Sequence, residues 1–267
     1  MMRLRPKVNY SEGFMAKSKV TGVCHVCGEV RPLSFEHIPP QSLGNTNLSK
    51  VYSAVEIAER TGGLDFDGRE GLRYRQEQRG SGFNTLCSSC NSYFGRNYVK
   101  EYAAFARALG SLFVSEDLND ARGIHIETDK ANVLAVFKHI VSNFCATTQP
   151  RTMLDCKDFL RDRESNAFPD HYRVFMYAVP TMDGPMVTTG WCNVLIDPVN
   201  LTGYTVAHVA TFPIGYAMVD TNHGNVVPNN LGCDITAMAQ CPWGERPPIT
   251  LELPYMDTKM TFPRPIG

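Results

Sequence analysis

The chain has 267 residues, of which 43% are hydrophobic, enough to bury a real core in one large domain or two modest ones. The net charge of −1 hides a polarity: residues 1–110 carry a net +5 and residues 111–267 a net −6, which suits an N-terminal part that meets a polyanion. No run of about 18 apolar residues occurs, and the basic start (Arg3, Arg5, Lys7) has no apolar stretch behind it, so neither a transmembrane helix nor a signal peptide is expected.

Residues 1–20 are polar and basic, and read either as a frayed terminus or as an arm on DNA phosphates. Residues 23–33 read as a metal knuckle on a β-hairpin. Cys24 and Cys27 bracket two residues, and Gly28 permits the tight turn behind them. His25, inside the knuckle, is read as exposed and without a role. In Ser34-Phe-Glu-His-Ile-Pro-Pro40, Leu33 and Phe35 alternate with polar residues, so a short strand should end at His37. Pro39 and Pro40 then force an extended exit. A long connector follows over residues 41–83. Val51, Val55 and Ile57 suggest a short helix over 49–60, ended by Thr61-Gly-Gly63. Arg73, Arg75 and Arg79 alternate along 72–79, as a strand with an arginine face or as a solvated hairpin.

The second knuckle lies in Asn84-Thr-Leu-Cys-Ser-Ser-Cys-Asn91. Asn91 should open a helix through Phe94, Val99, Tyr102, Phe105 and Leu109, with Gly110 as its stop. Beyond residue 115 the character changes. Residues 129–145 have the spacing of an amphipathic helix, with His139 structural, and a short helix is expected over 156–161. Strand signals follow at 172–179, 187–196, 204–212, 214–219 and 249–253. They predict an antiparallel sheet packed on one or two helices. The expected organisation is therefore α+β: a module over residues 1–115 with an insert at about 45–83, then an α+β accessory domain over 116–267.

Two Cys-x-x-Cys pairs point to one tetrahedral structural zinc on Cys24, Cys27, Cys87 and Cys90. The other five cysteines (Cys145, Cys156, Cys192, Cys233, Cys241) have no motif spacing, which suits a reducing, cytoplasmic setting rather than a disulfide scaffold. A zinc saturated by four thiolates has no open position for catalysis. Glu36 and His37 are neighbours on a strand and so face opposite ways. With the zinc tying the Asn91 helix to the hairpin, Glu36 and Asn91 could share a second, hard divalent ion, Mg or Mn. His37 could then take a proton from the attacking water.

The pattern resembles the HNH nuclease family, in particular its subgroup with four zinc-binding cysteines. The shared elements run from Cys24 to Gly28, from Ser34 to Gly44, and from Cys87 to Phe94-Gly95, and cover roughly residues 20–110. The resemblance implies a ββα-metal (treble-clef) core and hydrolysis of DNA phosphodiester bonds, as in restriction or phage-defence effectors. It implies His37 as general base, Glu36 and Asn91 as ligands of the catalytic ion, and Asn84 as the middle Asn that organises the loop. Two features depart from the pattern: the last position is Asn91 rather than His, and the insert is long. Tyr93, Arg96, Arg73 and Arg75 are further candidates for contacts with the nucleic acid, double-stranded DNA being the expected partner. Residues 116–267 are candidates for a homodimer or partner contact. The alternative is a zinc module that binds nucleic acid or protein without catalysis. A weaker reading places a small-molecule site among His208, Asp220, Asn222 and His223.

Overall fold

A computed structural model of the chain describes residues 20–52, 71–115, 123–128, 131–179, 186–197, 202–222, 226–257 and 264–265. Strand β1 (Thr21–Val23) turns through the first cysteine pair into β2 (Val30–His37), and the two pair antiparallel. Gly28 makes that turn possible: its φ is +75°, and its N–H closes on the Cys24 carbonyl at 2.9 Å. As expected, β2 ends at His37.

The insert carries a separate two-stranded ribbon, β3 (Ser49–Tyr52) against β4 (Tyr74–Glu77). The helix expected over 49–60 is corrected here, because its first four residues are strand. Tyr52 lies opposite Tyr74, with ring centroids 5.7 Å apart, and such cross-strand pairs outrank a weak helical spacing. Residues 53–63, where that helix was to continue and end, lie outside the described residues.

Strand β5 (Gly82–Cys87) returns to the other edge of β2, giving a sheet in the order β1-β2-β5. It runs directly into helix α1 (Ser88–Asn97), which thus starts three residues before Asn91. Tyr98 is the joint to helix α2 (Val99–Ser115). Gly110 does not stop α2. It sits where Phe212 and Pro213 pack against the helix, and that contact outweighs the roughly 0.5–1 kcal/mol that a mid-helix glycine costs.

The second half is built around one helix. After β6 (Gly123–Thr128) comes α3 (Val133–Thr147), capped by the Asn132 side chain, which accepts from the Ala135 N–H at 3.1 Å. Residues 133–146 are all buried, so α3 is a central helix rather than the amphipathic one its spacing suggested. Lys138, His139, Ser142 and Asn143 occupy the side that the spacing assigned to solvent; α2 and β5 pack on the helix as well as the strands of the large sheet.

Helix α4 (Lys157–Arg161) follows, then β7 (Tyr172–Ala178), β8 (Val187–Asp197), β9 (Thr202–Thr211) and β10 (Ile214–Asp220). These match the expected series of strands. With β11 (Cys233–Asp234) they form one antiparallel sheet in the order β11-β7-β10-β9-β8. The last expected strand is present as β12 (Ile249–Pro254), but it pairs with β6 and not with this sheet.

The hydrophobic core is continuous across residue 115. Val26, Leu86 and Phe94 near the cysteines belong to one cluster with Phe137 and Phe144 of α3 and Val174 and Met218 of the sheet. Buried hydrogen bonds cross the same line: Tyr98 Oη donates to the Leu160 carbonyl at 2.8 Å, and Tyr216 Oη to Tyr102 Oη at 2.5 Å. No helix among the described residues is long and apolar enough to cross a membrane.

Candidate metal centre and the acidic site beside it

The turn between β1 and β2 and the junction between β5 and α1 bring the four cysteines together. Their sulfur atoms all lie within 4.8 Å of one another, with Cys27 Sγ and Cys87 Sγ 4.0 Å apart. Zn–S bonds of about 2.3 Å need tetrahedral sulfur–sulfur edges of about 3.8 Å, so the set fits one metal such as zinc. The Cys87 backbone N–H points at Cys24 Sγ at 3.3 Å, and Arg161 Nη1 donates to Cys90 Sγ at 3.2 Å. A hydrogen bond from the Cys90 thiol lowers the Cys24 thiol below the usual range, and the same bond raises Cys90.

His25 is corrected from an exposed to a buried position. The residue is 8% exposed, and Nδ1 donates to the Cys145 carbonyl at 3.0 Å. Burial lowers its basicity, so it stays a neutral strut between the knuckle and α3.

One strand away lies an acidic site. Glu36 is 7% exposed near the end of β2. Among the described residues no hydrogen bond or ion pair reaches its carboxylate, and burial alone pushes it up to about 7. Strand alternation puts Ser34 on the same face as Glu36. On that face sits the Asn91 amide. Its Nδ2 donates to Ser34 Oγ at 3.1 Å and to the Phe35 carbonyl at 3.0 Å. A backbone carbonyl only accepts, so the amide orientation is fixed, and Oδ1 is left as the acceptor not used by β2.

His37 leaves β2 on the opposite face, edge-on to Phe35 at 4.8 Å. Its Nε2 lies 3.0 Å from the Arg79 carbonyl. That nitrogen must carry the proton, which makes Nδ1 the basic one. Burial holds His37 below the usual imidazole range, and the Arg79 carbonyl acts the other way. The half-buried imidazole is therefore neutral and able to take a proton at neutral pH.

Asn84 lies exposed in β5, where the pairing with β2 shifts by one residue between Ser34 and Glu36. Such bulges re-aim side chains near functional sites. The residue that ties the loop here is Asn45. Its Nδ2 donates to the carbonyls of Pro39 (2.6 Å) and Ser81 (2.8 Å), and its Oδ1 accepts from the Ser81 N–H at 2.7 Å.

The other candidates disperse. Tyr93 lies two residues beyond Asn91, about 200° round the helix. Its hydroxyl accepts from the Arg163 N–H at 3.0 Å, so it serves the contact with α4. Arg96 is exposed in the last turn of α1. Arg73 is exposed just before β4, and Arg75 pairs with Glu77 at 2.8 Å. His208 is buried in β9 and pushed down to about 4 by burial. Asp220 accepts from the Asn222 N–H in a turn, and His223 lies outside the described residues, so the small-molecule reading gains nothing.

Fold and site together define a mixed α+β protein with antiparallel sheets and a four-cysteine centre able to hold a metal such as zinc. The chain matches no protein-family model, no curated protein and no solved structure.

Proposed function

We propose that the chain is an HNH-type endonuclease that hydrolyses DNA phosphodiester bonds, with β2, β5 and α1 as its ββα-metal core. The observation that carries this reading is Glu36, a buried carboxylate with no hydrogen-bond or ion-pair partner among the described residues, two positions along β2 from Ser34, whose hydroxyl accepts from the Asn91 amide. An unpaired buried carboxylate is costly, and a cation is the usual way to offset it. Glu36 and Asn91 Oδ1 would hold Mg or Mn, hard ions that prefer oxygen ligands. Such an ion, when bound, supplies positive charge to the phosphate and to the departing 3′-oxygen.

The chain's own residues do the rest. His37 Nδ1 takes the proton of the attacking water, while its Nε2–H stays on the Arg79 carbonyl and keeps the ring in place. The four cysteines and their zinc fix α1 against the hairpin and so fix Asn91 against β2. Asn45 closes the loop just beyond His37. Exposed Arg73, Arg79 and Arg96 provide charge for a DNA backbone.

The test is nicking of a supercoiled plasmid by the zinc-loaded chain in Mg or Mn, with His37→Ala beside it. Nicking by the wild type and its loss in His37→Ala is the expected result. Equal nicking by both, or none by either across a metal titration, sinks the enzyme reading. One observation favours the alternative, a non-catalytic zinc module that binds nucleic acid: Glu36 and His37 leave β2 on opposite faces. Plasmid retardation without cleavage at any metal concentration is its signature.

A further inference from the structure

Cys90 has a partner from far along the chain. Arg161, at the end of α4, donates from Nη1 to Cys90 Sγ at 3.2 Å across 71 residues. Its backbone is held on both sides. The last carbonyls of a helix have no partner within it. Here Lys138 Nζ donates to the carbonyls of Phe159 and, at 2.9 Å, Asp162, and Tyr98 Oη donates to that of Leu160 at 2.8 Å. The Arg163 N–H is held by Tyr93 Oη, and the Arg161 guanidinium lies 5.7 Å from the centre of the Tyr93 ring. Every one of these partners sits on α1, on α3 or at the α1–α2 joint, so α4 presents Arg161 to the sulfur in one fixed position.

The chemistry gives this contact a purpose. A zinc ion with four thiolates has a net charge of about −2. Cys24, Cys87 and Cys90 are buried, so that charge is poorly screened by water. A guanidinium stays charged across the whole working pH range. Its N–H···S bond, 3.2 Å long, puts a fixed positive charge against the thiolate and so offsets part of the buried negative charge that the four ligands bring together. We propose that Arg161 is a positioning residue of the metal centre, which sets how tightly the four cysteines retain zinc and makes α4 part of that centre. The proposal rests on the reading of the four cysteines as a zinc site. It is independent of the nuclease activity.

The experiment uses the full chain and compares wild type, Arg161→Met, Arg161→Lys and Arg163→Met. The Arg163 guanidinium lies over Trp243 instead of a sulfur, so its variant is the control. Zinc affinity is read by competition with a chromophoric chelator, and each protein is also loaded with cobalt. Loss of an outer-shell partner typically weakens metal binding by about 10–100-fold. Arg161→Met is expected to fall in that range, Arg161→Lys to recover part of it, and Arg163→Met to stay within about twofold of wild type. The thiolate-to-cobalt charge-transfer band should move to lower energy in Arg161→Met, because the freed sulfur is a better donor; a purely architectural role would leave the band in place. Should Arg161→Met fail to fold, Arg161→Gln keeps a neutral donor and is expected to weaken binding by about tenfold. Unchanged affinity with an unmoved band in the folded variant overturns the role of Arg161 alone. Failure of the wild type to bind zinc at all overturns the four-cysteine reading and this role with it.

Discussion

Replacing Glu36 by Gln should stabilise the protein at alkaline pH, and the gain should grow with pH. The carboxyl is raised from 4.5 to about 7 by burial, so between those values the folded state binds more protons than the unfolded one. Stability must then fall as pH rises through that window, and level off above it. The loss is about 1 kcal/mol at pH 5.5 and about 3 kcal/mol at pH 8.5. Gln has nearly the same shape and does not titrate. The difference between the two proteins should therefore widen by about 2 kcal/mol over that range, whatever constant offset the substitution adds. Urea denaturation with excess zinc at fixed ionic strength, at several pH values, measures this directly. Adding Mg or Mn at pH 8.5 supplies a second arm. An ion bound at Glu36 and present at ten times its dissociation constant restores about 1.4 kcal/mol to the wild type, and to Glu36→Gln much less. Parallel pH curves would refute the burial argument, and a widening gap that Mg and Mn leave untouched would refute the ion site while leaving the burial argument standing.

Asn91→Ala removes both amide donors to β2 and leaves the Phe35 carbonyl without its side-chain partner. The expected cost is about 1–2 kcal/mol by urea denaturation, with a Mg requirement for nicking shifted to higher concentration; an unshifted Mg titration excludes Asn91 as a ligand. Tyr98→Phe deletes the buried bond to the Leu160 carbonyl while the fully buried ring stays packed. It should lower stability by about 1–2 kcal/mol, and a variant as stable as wild type would show that α4 is not held by this bond.

The legible parts of the sequence were those where local chemistry decides the outcome. Cys24-His-Val-Cys27-Gly28 can make only a few tight turns, and the cysteines it presents do meet the pair at Cys87 and Cys90. The strands at 172–179, 187–196, 204–212 and 214–219 were visible because alternation and turn residues coincide. Misjudged segments were those whose environment is set from far away. Residues 49–52 became strand through pairing with β4 across the insert. Helix α3 has a polar side, but Lys138 finds carbonyls on α4 and just after it, and His139 packs tilted against Tyr102 with ring centroids 4.3 Å apart, so that side is buried too. His25 looked like a surface residue because its acceptor, the Cys145 carbonyl, is 120 residues away. Arg161 had no signal for the same reason. Asn45 could have been suspected, as an Asn after Pro-Pro and Gly44, but its partners at Ser81 could not.

The long insert, which set this chain apart from the simplest two-knuckle pattern, is compatible with a rigid site because it leaves and returns at one point. Asn45 bonds both Pro39, where the chain departs, and Ser81, where it comes back. Two glycines let the backbones approach that closely. A Cβ at Gly80 would meet the Asn45 carbonyl at 2.3 Å, and one at Gly82 would meet the Glu36 carbonyl at 2.0 Å. Gly80 also has a φ of +92°, so it is specified twice over. Loop-closure entropy rises only slowly with length, so a segment between such a clamp can grow with little strain on what lies below it. The clamp thus separates the chain into a part free to vary, the β3–β4 ribbon, and a part that is not. The fixed part runs from Glu36 and His37 through Gly82 to the cysteines, and from there through Arg161 and His25 into the core of the second half.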